Sequence, residues 1–404
     1  MKLSWIDYPE KYDDDSLLQA ADFCPELSED FLSRGEGHLL IKGDNYPVLK
    51  KLSSVCKNIM VQTAGPALAD LIYIDPPYNT GNDFTYNDDF SVRLKETNER
   101  SVVDKHSAWL SFMQRRLIAA LPLLKESGCI FIAIDQSELY ALKLLCDQIF
   151  GEENFVNDFM WLHGKGKKDR WSRTLQQHTL CYARNKKKLK AFRELEQTSW
   201  ATRNADNDPR GNWFSGSISF SEKRSNPKHK NYYSITSPSG KVWTRQWQTD
   251  ENHMKELIAD KRIFWGNPPL YDRVPRLKIF NEEETEVIPR NIIEPLETTR
   301  SAQQHLDSLL GEKGAFDNPK PVSLIKHLIK ITCLPADALI MDFFAGSGTS
   351  LEAVCELNAE DKGHRRCILV QKDENKIFDL CKKRCEKICQ KYGEKLTFSS
   401  LNDL

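Results

Sequence analysis

The feature that most limits the fold is a short apolar run that stops without tapering. Leu71-Ile72-Tyr73-Ile74 passes directly into Asp75-Pro76-Pro77-Tyr78-Asn79-Thr80-Gly81. Such a run reads as a buried strand that presents Asp75 and Tyr78 at its carboxyl end, the edge at which open α/β sheets bind ligands. Pro76 and Pro77 have fixed φ and no N–H, and each keeps the preceding residue out of the helical region. The tip is therefore stiff and extended, with carbonyls available as acceptors. A carboxylate, a carbonyl and an aromatic face in one place suit the exocyclic amino group of a planar base. That amine is a poor nucleophile because its lone pair is delocalised into the ring. Asp75 and the Pro76 carbonyl can bind its two hydrogens, localise the lone pair and receive developing positive charge. Tyr78 can stack on a base rotated out of a duplex. The plain alternative is a strand followed by a Pro-Pro turn.

A second stretch argues against that alternative. Ala338-Leu339-Ile340-Met341 runs into Asp342-Phe343-Phe344-Ala345-Gly346-Ser347-Gly348-Thr349. This is another apolar strand, ending in a glycine turn that opens a helix near Thr349. Gly346 and Gly348 allow close approach of the backbone to a ligand, and the helix amino terminus favours an anion. The Lys that follows the last Gly of a phosphate-cradling loop is missing, which argues against a nucleoside triphosphate.

Here the sequence resembles a known family. Asp75-Pro76-Pro77-Tyr78 matches the catalytic motif of the amino-group DNA methyltransferases, and the stretch from Asp342 to Thr349 resembles their S-adenosylmethionine motif. The catalytic motif comes first, as in the permuted β class, and the flanking text from about Gly35 onward is most similar to the modification subunits of type III restriction systems. The resemblance implies methyl transfer from S-adenosylmethionine to adenine N6 in double-stranded DNA, with Asp75, Pro76, Pro77 and Tyr78 at the reacting base. Asp at the first motif position is the adenine form; cytosine-N4 enzymes usually carry Ser there. It also implies a cofactor site made of Asp342, Phe343, Phe344, Ala345, Gly346, Ser347, Gly348 and Thr349. Asp44 borders the cofactor's adenine, although a helix N-cap is an equal reading of it. Lys320, in Phe316-Asp317-Asn318-Pro319-Lys320-Pro321, is carried over as the cation for the methionine carboxylate; an ordinary surface lysine is the alternative. The end of the strand Cys367 to Val370 is where an acid usually binds the ribose. This sequence has Gln371 there, followed by Asp373 and Glu374. A homodimer, a restriction subunit in a separate chain and a bacterial, nucleoid-associated location are likewise implications of the resemblance. The chemistry needs no metal and no covalent enzyme intermediate, unlike carbon-5 cytosine methylation.

The fold class expected is a doubly wound, mostly parallel α/β sheet with permuted motif order and an inserted target-recognition domain. Its parts are an acidic arm at residues 1–34, a catalytic half at 35–184, the insert at 185–300 and a cofactor half at 301–404. Helices are expected over Ser107 to Lys125, Ser137 to Phe150 and Lys376 to Tyr392, and a strand over Cys129 to Ile134. Residues 82–104 read as a long loop over the site, a candidate lid.

Charge is unevenly spread. The first 34 residues carry nine acids against Lys2, Lys11 and Arg34, whereas residues 160–245 carry nineteen Lys plus Arg against six Asp plus Glu. Seven of the nine tryptophans also lie between 155 and 300. Lys165, Lys167, Lys168, Lys186, Lys187, Lys188, Lys223 and Arg224 are therefore the candidate DNA contacts, a solvated basic surface being the alternative. Asn267-Pro268-Pro269-Leu270 imitates the catalytic motif, but it lacks the terminal aromatic and is rejected. Cys381, Cys385 and Cys389 fall at helical spacing and read as a buried stripe rather than zinc ligands. The eleven cysteines lack paired metal spacing and no run approaches 18 apolar residues, so the chain reads as a soluble cytoplasmic protein without a membrane partner. A catalytically silent DNA-binding subunit and an RNA methyltransferase are the other classes these features admit; loss of Asp75 or of the glycines would favour the first, and both are present.

Overall fold

The computed structural model describes residues 3–14, 37–60, 67–81, 88, 90, 105–163, 171–197, 201, 203–267, 269–281, 284–294 and 297–401. Two compact units emerge: one joins Met1–Phe192 to Pro289–Leu404, and the other is Arg193–Ile288.

The first unit is built on nine strands: β1 (His38–Lys42), β2 (Ala69–Ile74), β3 (Leu124–Ile134), β4 (Phe155–Leu162), β5 (Gln176–Ala183), β6 (Ile292–Ile293), β7 (Leu339–Asp342), β8 (Arg366–Gln371) and β9 (Leu396–Ser400). They form one sheet in the order β6-β4-β5-β3-β2-β7-β8-β1-β9. Every pairing is parallel except the two made by β5, which runs against β3 and β4. Helices α1 (Asn45–Met60), α2 (Lys105–Ala120) and α3 (Leu139–Phe150) alternate with strands in the first part of the chain. In the last part, α4 (Thr299–Leu310) and α5 (Val322–Ile331) come in succession before β7, and α6 (Thr349–Asp361) and α7 (Ile377–Tyr392) then alternate with β8 and β9.

Alternation along the strands sorts residues between two cores. Ile72 and Ile74 of β2 join Leu49, Trp109, Met113 and Leu145 on the face covered by α1, α2 and α3. Leu71 and Tyr73 join Ile325, Leu328, Leu351 and Cys385 on the face covered by α5, α6 and α7. A sheet buried on both faces needs the near-continuous apolar strands that this sequence supplies.

The two motif strands are neighbours. Leu71 and Ile72 of β2 pair with Ile340 and Met341 of β7. From β2 the chain crosses through α2 to β3 on one side, and from β7 it crosses through α6 to β8 on the other. The crevice outside their carboxyl ends is the topological switch point of the sheet, and it lies between Asp75 and Asp342.

Some boundaries differ from expectation. α2 stops at Ala120 rather than Lys125, because Pro122 cannot continue the helical hydrogen bonds; a single tight turn follows and β3 begins at Leu124. α3 begins at Leu139 and α7 at Ile377, each a residue or two inside the expected span. The second unit is shorter than 185–300 at both ends, since Lys186, Lys187 and Lys188 follow β5 in the first unit and Ile292–Ile293 extends its sheet.

The described part of the acidic arm is packed against the first unit. Residues 3–14 lie on α2, where Arg115 binds Asp7 and Asp13, Arg116 binds Glu10, and the Trp5 indole N–H donates to Ser111. Two adjacent arginines give the acids their partners; residues 15–36 lie outside the described part. No described helix is long and apolar enough to cross a membrane.

In the second unit, Trp213–Gly216, Ile263–Phe264 and Arg276–Phe280 make a three-stranded antiparallel sheet, and Tyr232–Thr236 pairs with Val242–Gln246. Trp247 and Trp265 are buried with Ile218 and Met254. Several tryptophans that sequence pattern placed among basic residues are thus the core of this unit. Buried Lys278 sits between Asp206 and Asp208, 2.7 Å from the latter.

Candidate active site

β2 and the proline pair carry Asp75 to the sheet edge, and the surrounding residues then fix the tip. The Trp109 indole N–H donates to the Pro77 carbonyl at 2.7 Å. Asn79 adopts φ +59°, and its backbone N–H and that of Thr80 donate to the buried Asp88 carboxylate, each at 2.9 Å. The Asn79 side chain donates to Glu138 at 2.6 Å, and His106 approaches the same oxygen at 2.6 Å. Burial pushes the Glu138 carboxyl above its usual range. The remainder of the expected lid, beyond Asp88 and Phe90, lies outside the described residues, as do Lys165, Lys167, Lys168 and Pro268.

Both oxygens of Asp75 are engaged. The Tyr78 hydroxyl donates to Oδ1 at 2.6 Å, and the Lys320 ammonium donates to Oδ2 at 2.6 Å. Lys320 also lies 5.1 Å from the centre of the Tyr78 ring.

The neighbouring strand end holds Asp342, buried to 2% exposure. It accepts from the Phe344 N–H at 3.0 Å and from the Ser350 hydroxyl. Burial, reinforced by the Asp75 charge and opposed by those hydrogen bonds, pushes its carboxyl up to about 7. The turn that follows needs its glycines. Gly346 has φ +53° and Gly348 φ +83°; a Cβ on Gly348 would come within 2.9 Å of the Cys385 sulfur.

The Gly346 N–H donates to Gln371 Oε1 at 2.8 Å, while Gln371 Nε2 donates to the Lys372 carbonyl. One end of this amide therefore holds the turn and the other its own strand end, while Gln371 also lines the cleft. Of the two following acids, Asp373 pairs with Lys42 at 2.6 Å and Glu374 lines the cleft. Asp44 serves as the N-cap of α1, accepting from the Tyr46 N–H at 3.0 Å, and it lines the cleft while binding Arg116 at 3.1 Å. Arg116 also binds Asn45, whose amide donates to the Phe343 carbonyl at 2.7 Å.

The two strand ends and the glycine turn open into one cleft. Its walls include the aromatic rings of Phe112, Phe316, Phe343 and Phe344, the acids Asp44, Asp75, Asp342 and Glu374, and the cations Arg116 and Lys320. The buried Tyr73 hydroxyl, which also lines it, has no hydrogen-bond partner among the described residues. A cleft with aromatic walls, separated acids and bases and an orphaned hydroxyl suits a ligand that is part base, part sugar and part zwitterion.

Several supporting residues escape a reading of motifs. Arg384 on α7 is buried; it donates to the Ser347 and Thr349 hydroxyls at 2.8 and 2.9 Å and pairs with buried Glu352 at 2.7 Å. The signal available was one arginine amid the Cys381-Cys385-Cys389 stripe, which is buried against α6 and β8 as expected of core thiols. Arg116 is likewise a lone charge on the buried side of α2.

Lys186, Lys187 and Lys188 follow the carboxyl end of β5. Because β5 is antiparallel, that end lies beside Gly128 and Cys129, at the edge of the sheet opposite Asp75. Lys223 and Arg224 are exposed on the second unit. His178 pairs with Asp158 at 2.8 Å within the β4–β5 ladder. His38, Cys355 and Cys389 bring ligand atoms within 4.8 Å of one another. However, His38 Nδ1 accepts the Cys367 N–H at 3.1 Å, which leaves the ring proton on Nε2, facing Cys355. Burial lowers that ring's pKa to about 4, so it is a satisfied neutral core histidine.

The N6/N4 methyltransferase family, described as DNA methylase, matches residues 69–382 of the chain. The type III restriction-modification enzyme StyLTI Mod subunit of Salmonella typhimurium is 33% identical over 376 residues, covering 87% of this chain and 55% of that one. The EcoPI Mod subunit of Escherichia phage P1 is 32% identical over 89% of this chain and 63% of its own length. The type II methyltransferase M.KpnI of Klebsiella pneumoniae is 29% identical over 81% and 79% respectively. The chain thus spans somewhat more than half the length of the Mod subunits it matches.

Proposed function

The chain belongs to the N6/N4 family of DNA methylases, and from that premise we propose that it transfers the methyl group of S-adenosylmethionine to the N6 amino group of an adenine flipped out of duplex DNA. The observation that carries this reading is the juxtaposition of Asp75 and the glycine turn at the carboxyl ends of paired β2 and β7. Bound S-adenosylmethionine supplies an electrophilic methyl on a sulfonium. Asp342 and Asp75 favour that cationic centre, the turn around Gly346 and Gly348 admits the ligand close to backbone, Lys320 faces the amino-acid carboxylate, and Glu374 takes the ribose hydroxyls in place of Gln371. Asp75 and the Pro76 carbonyl accept from the target amine, draw its lone pair out of the ring and stabilise the positive charge as the nitrogen is alkylated; the sulfur leaves as a neutral thioether, and the surplus N–H proton passes along the Asp75 hydrogen bond to solvent. Tyr78 stacks on the base, and Trp109 and Asp88 hold its loop so that nitrogen and methyl meet in line.

Adenine is favoured over cytosine by Asp75 at the first motif position. The names of the relatives support a modification role beside a separate restriction chain; a second copy as the dimer partner is carried over from the family resemblance alone. Of the sequence-predicted DNA contacts this reading keeps the exposed Lys223 and Arg224, together with Lys165, Lys167 and Lys168 outside the described residues; it leaves out Lys186, Lys187 and Lys188, which follow the end of β5 opposite Asp75.

The test is incubation with labelled S-adenosylmethionine and unmethylated duplex genomic DNA, followed by nucleoside analysis and modification-aware sequencing. N6-methyladenine confined to one short motif is expected. N4-methylcytosine would correct the base, and no modified nucleoside despite cofactor and DNA binding would overturn the reading.

A further inference from the structure

Lys320 stands where the substrate's amine must go. Its ammonium nitrogen is 2.6 Å from Asp75 Oδ2 and 5.1 Å from the centre of the Tyr78 ring. An exocyclic amino group bound to Asp75, on a base stacked over Tyr78, needs the same place. The ammonium has only 9% of its side chain exposed, and the Asp75 carboxylate has 26%. A paired Asp75 is also a poor catalyst, because its charge is already neutralised when the nitrogen becomes positive.

Lys320 equally lines the cleft formed by the glycine turn. A ligand carboxylate in that cleft is a second anion within the sweep of a flexible four-carbon stem. From this geometry we infer that Lys320 is a displaceable plug: the carboxylate of the methyl donor draws its ammonium off Asp75, and only then can the target adenine enter. The inference rests on the methyltransferase reading and deepens it by ordering the two substrates. Lys320 positions rather than reacts, since it must leave Asp75 before the chemistry begins.

Because the coupling is an equilibrium one, it must be reciprocal: whatever factor the donor adds to base flipping, the flipped base adds to donor affinity. The experiment uses the full chain and a duplex containing the motif found by sequencing, with 2-aminopurine placed beside the target adenine. Its fluorescence rises when the target leaves the stack. Saturating S-adenosylhomocysteine, which carries the carboxylate, is expected to raise the flipped fraction about tenfold, whereas saturating 5′-methylthioadenosine, which lacks it, leaves the fraction near that of protein and DNA alone. In Lys320→Met, flipping should occur without either ligand and respond equally to both.

Equal stimulation of the wild-type chain by the two ligands would overturn the inference, and this comparison does not depend on the variant folding. A Lys320→Met protein that binds 5′-methylthioadenosine yet still needs S-adenosylhomocysteine to flip the base would overturn it as well. Either result leaves the methyltransferase reading standing if methylated DNA is formed; absence of any modified nucleoside would remove both.

Discussion

Asp342 is a carboxylate held where a carboxylate is costly, and replacing it by Asn should stabilise the protein while weakening its cofactor site. The side chain is 2% exposed, and burial raises its carboxyl from 3.8 to about 7. At about 1.4 kcal/mol per tenfold change in proton affinity, ionising it in the folded state costs on the order of 4 kcal/mol relative to the unfolded chain. The sign follows from the raised value. The protonated folded form is favoured in full below about pH 4, and that advantage is lost as the pH climbs to about 7. Asparagine carries no charge, can accept from the Phe344 N–H through Oδ1 and can donate from Nδ2 to Ser350. After allowing for imperfect geometry, Asp342→Asn should be more stable than wild type by about 1–3 kcal/mol at pH 8 and no more stable near pH 4.5. Urea unfolding at both pH values, followed by tryptophan fluorescence, measures this. Cofactor affinity at pH 8 should fall in the same variant, because the sulfonium loses a neighbouring anion. A variant destabilised equally at both pH values would refute the reasoning, since it would mean that the buried group bears no charge at pH 8.

Two other substitutions probe the scaffold of the site. Gly348→Ala places a Cβ 2.9 Å from the Cys385 sulfur and 3.2 Å from that of Cys381 at φ +83°; it should lose about 2–4 kcal/mol of stability and bind the cofactor more weakly, and an unchanged urea midpoint with unchanged binding by equilibrium dialysis would contradict the strained turn. Arg384→Ala leaves buried Glu352, among the described residues, with only the His305 contact; it should cost about 3–5 kcal/mol, and the double change Arg384→Met with Glu352→Leu should cost less than Arg384→Ala alone. Equal losses in the two proteins would show that unpaired charge is not the cause.

The parts legible in sequence were those set by neighbours along the chain. The apolar runs of β2 and β7, the proline tip and the glycine turn each carry their own conformational reasons, and the alternation of strands with amphipathic helices implied the doubly wound sheet. Pairing of β2 with β7 followed only through the resemblance, because no local property of Leu71 or Ile340 says that they are partners. Side chains that act through long-range packing were not legible: Trp109 on Pro77, Arg116 on Asn45 and Arg384 on the Ser347 turn lie on helices whose periodicity marks a face but not its target. The hydrogen bond by which Gln371 also anchors the turn was not legible from its place at the strand end. Composition misled where tryptophan and lysine share a segment. Trp247, with 0% exposure, fills a core, and Lys278 is buried between two aspartates, although both sit in the tryptophan-rich segment between 155 and 300.

The central claim is that Asp75 acts on the target amine while the glycine turn holds the methyl donor, so that the two functions share one cleft but can be separated. The most direct measurement compares wild type with Asp75→Ala for transfer of a labelled methyl group to duplex DNA, alongside calorimetric binding of S-adenosylhomocysteine. Loss of transfer with donor affinity weakened by no more than about threefold is expected, because the donor is bound chiefly by the turn and the loss of Asp75 frees Lys320 for the donor's carboxylate. Methylation by Asp75→Ala at a rate near wild type would contradict the account.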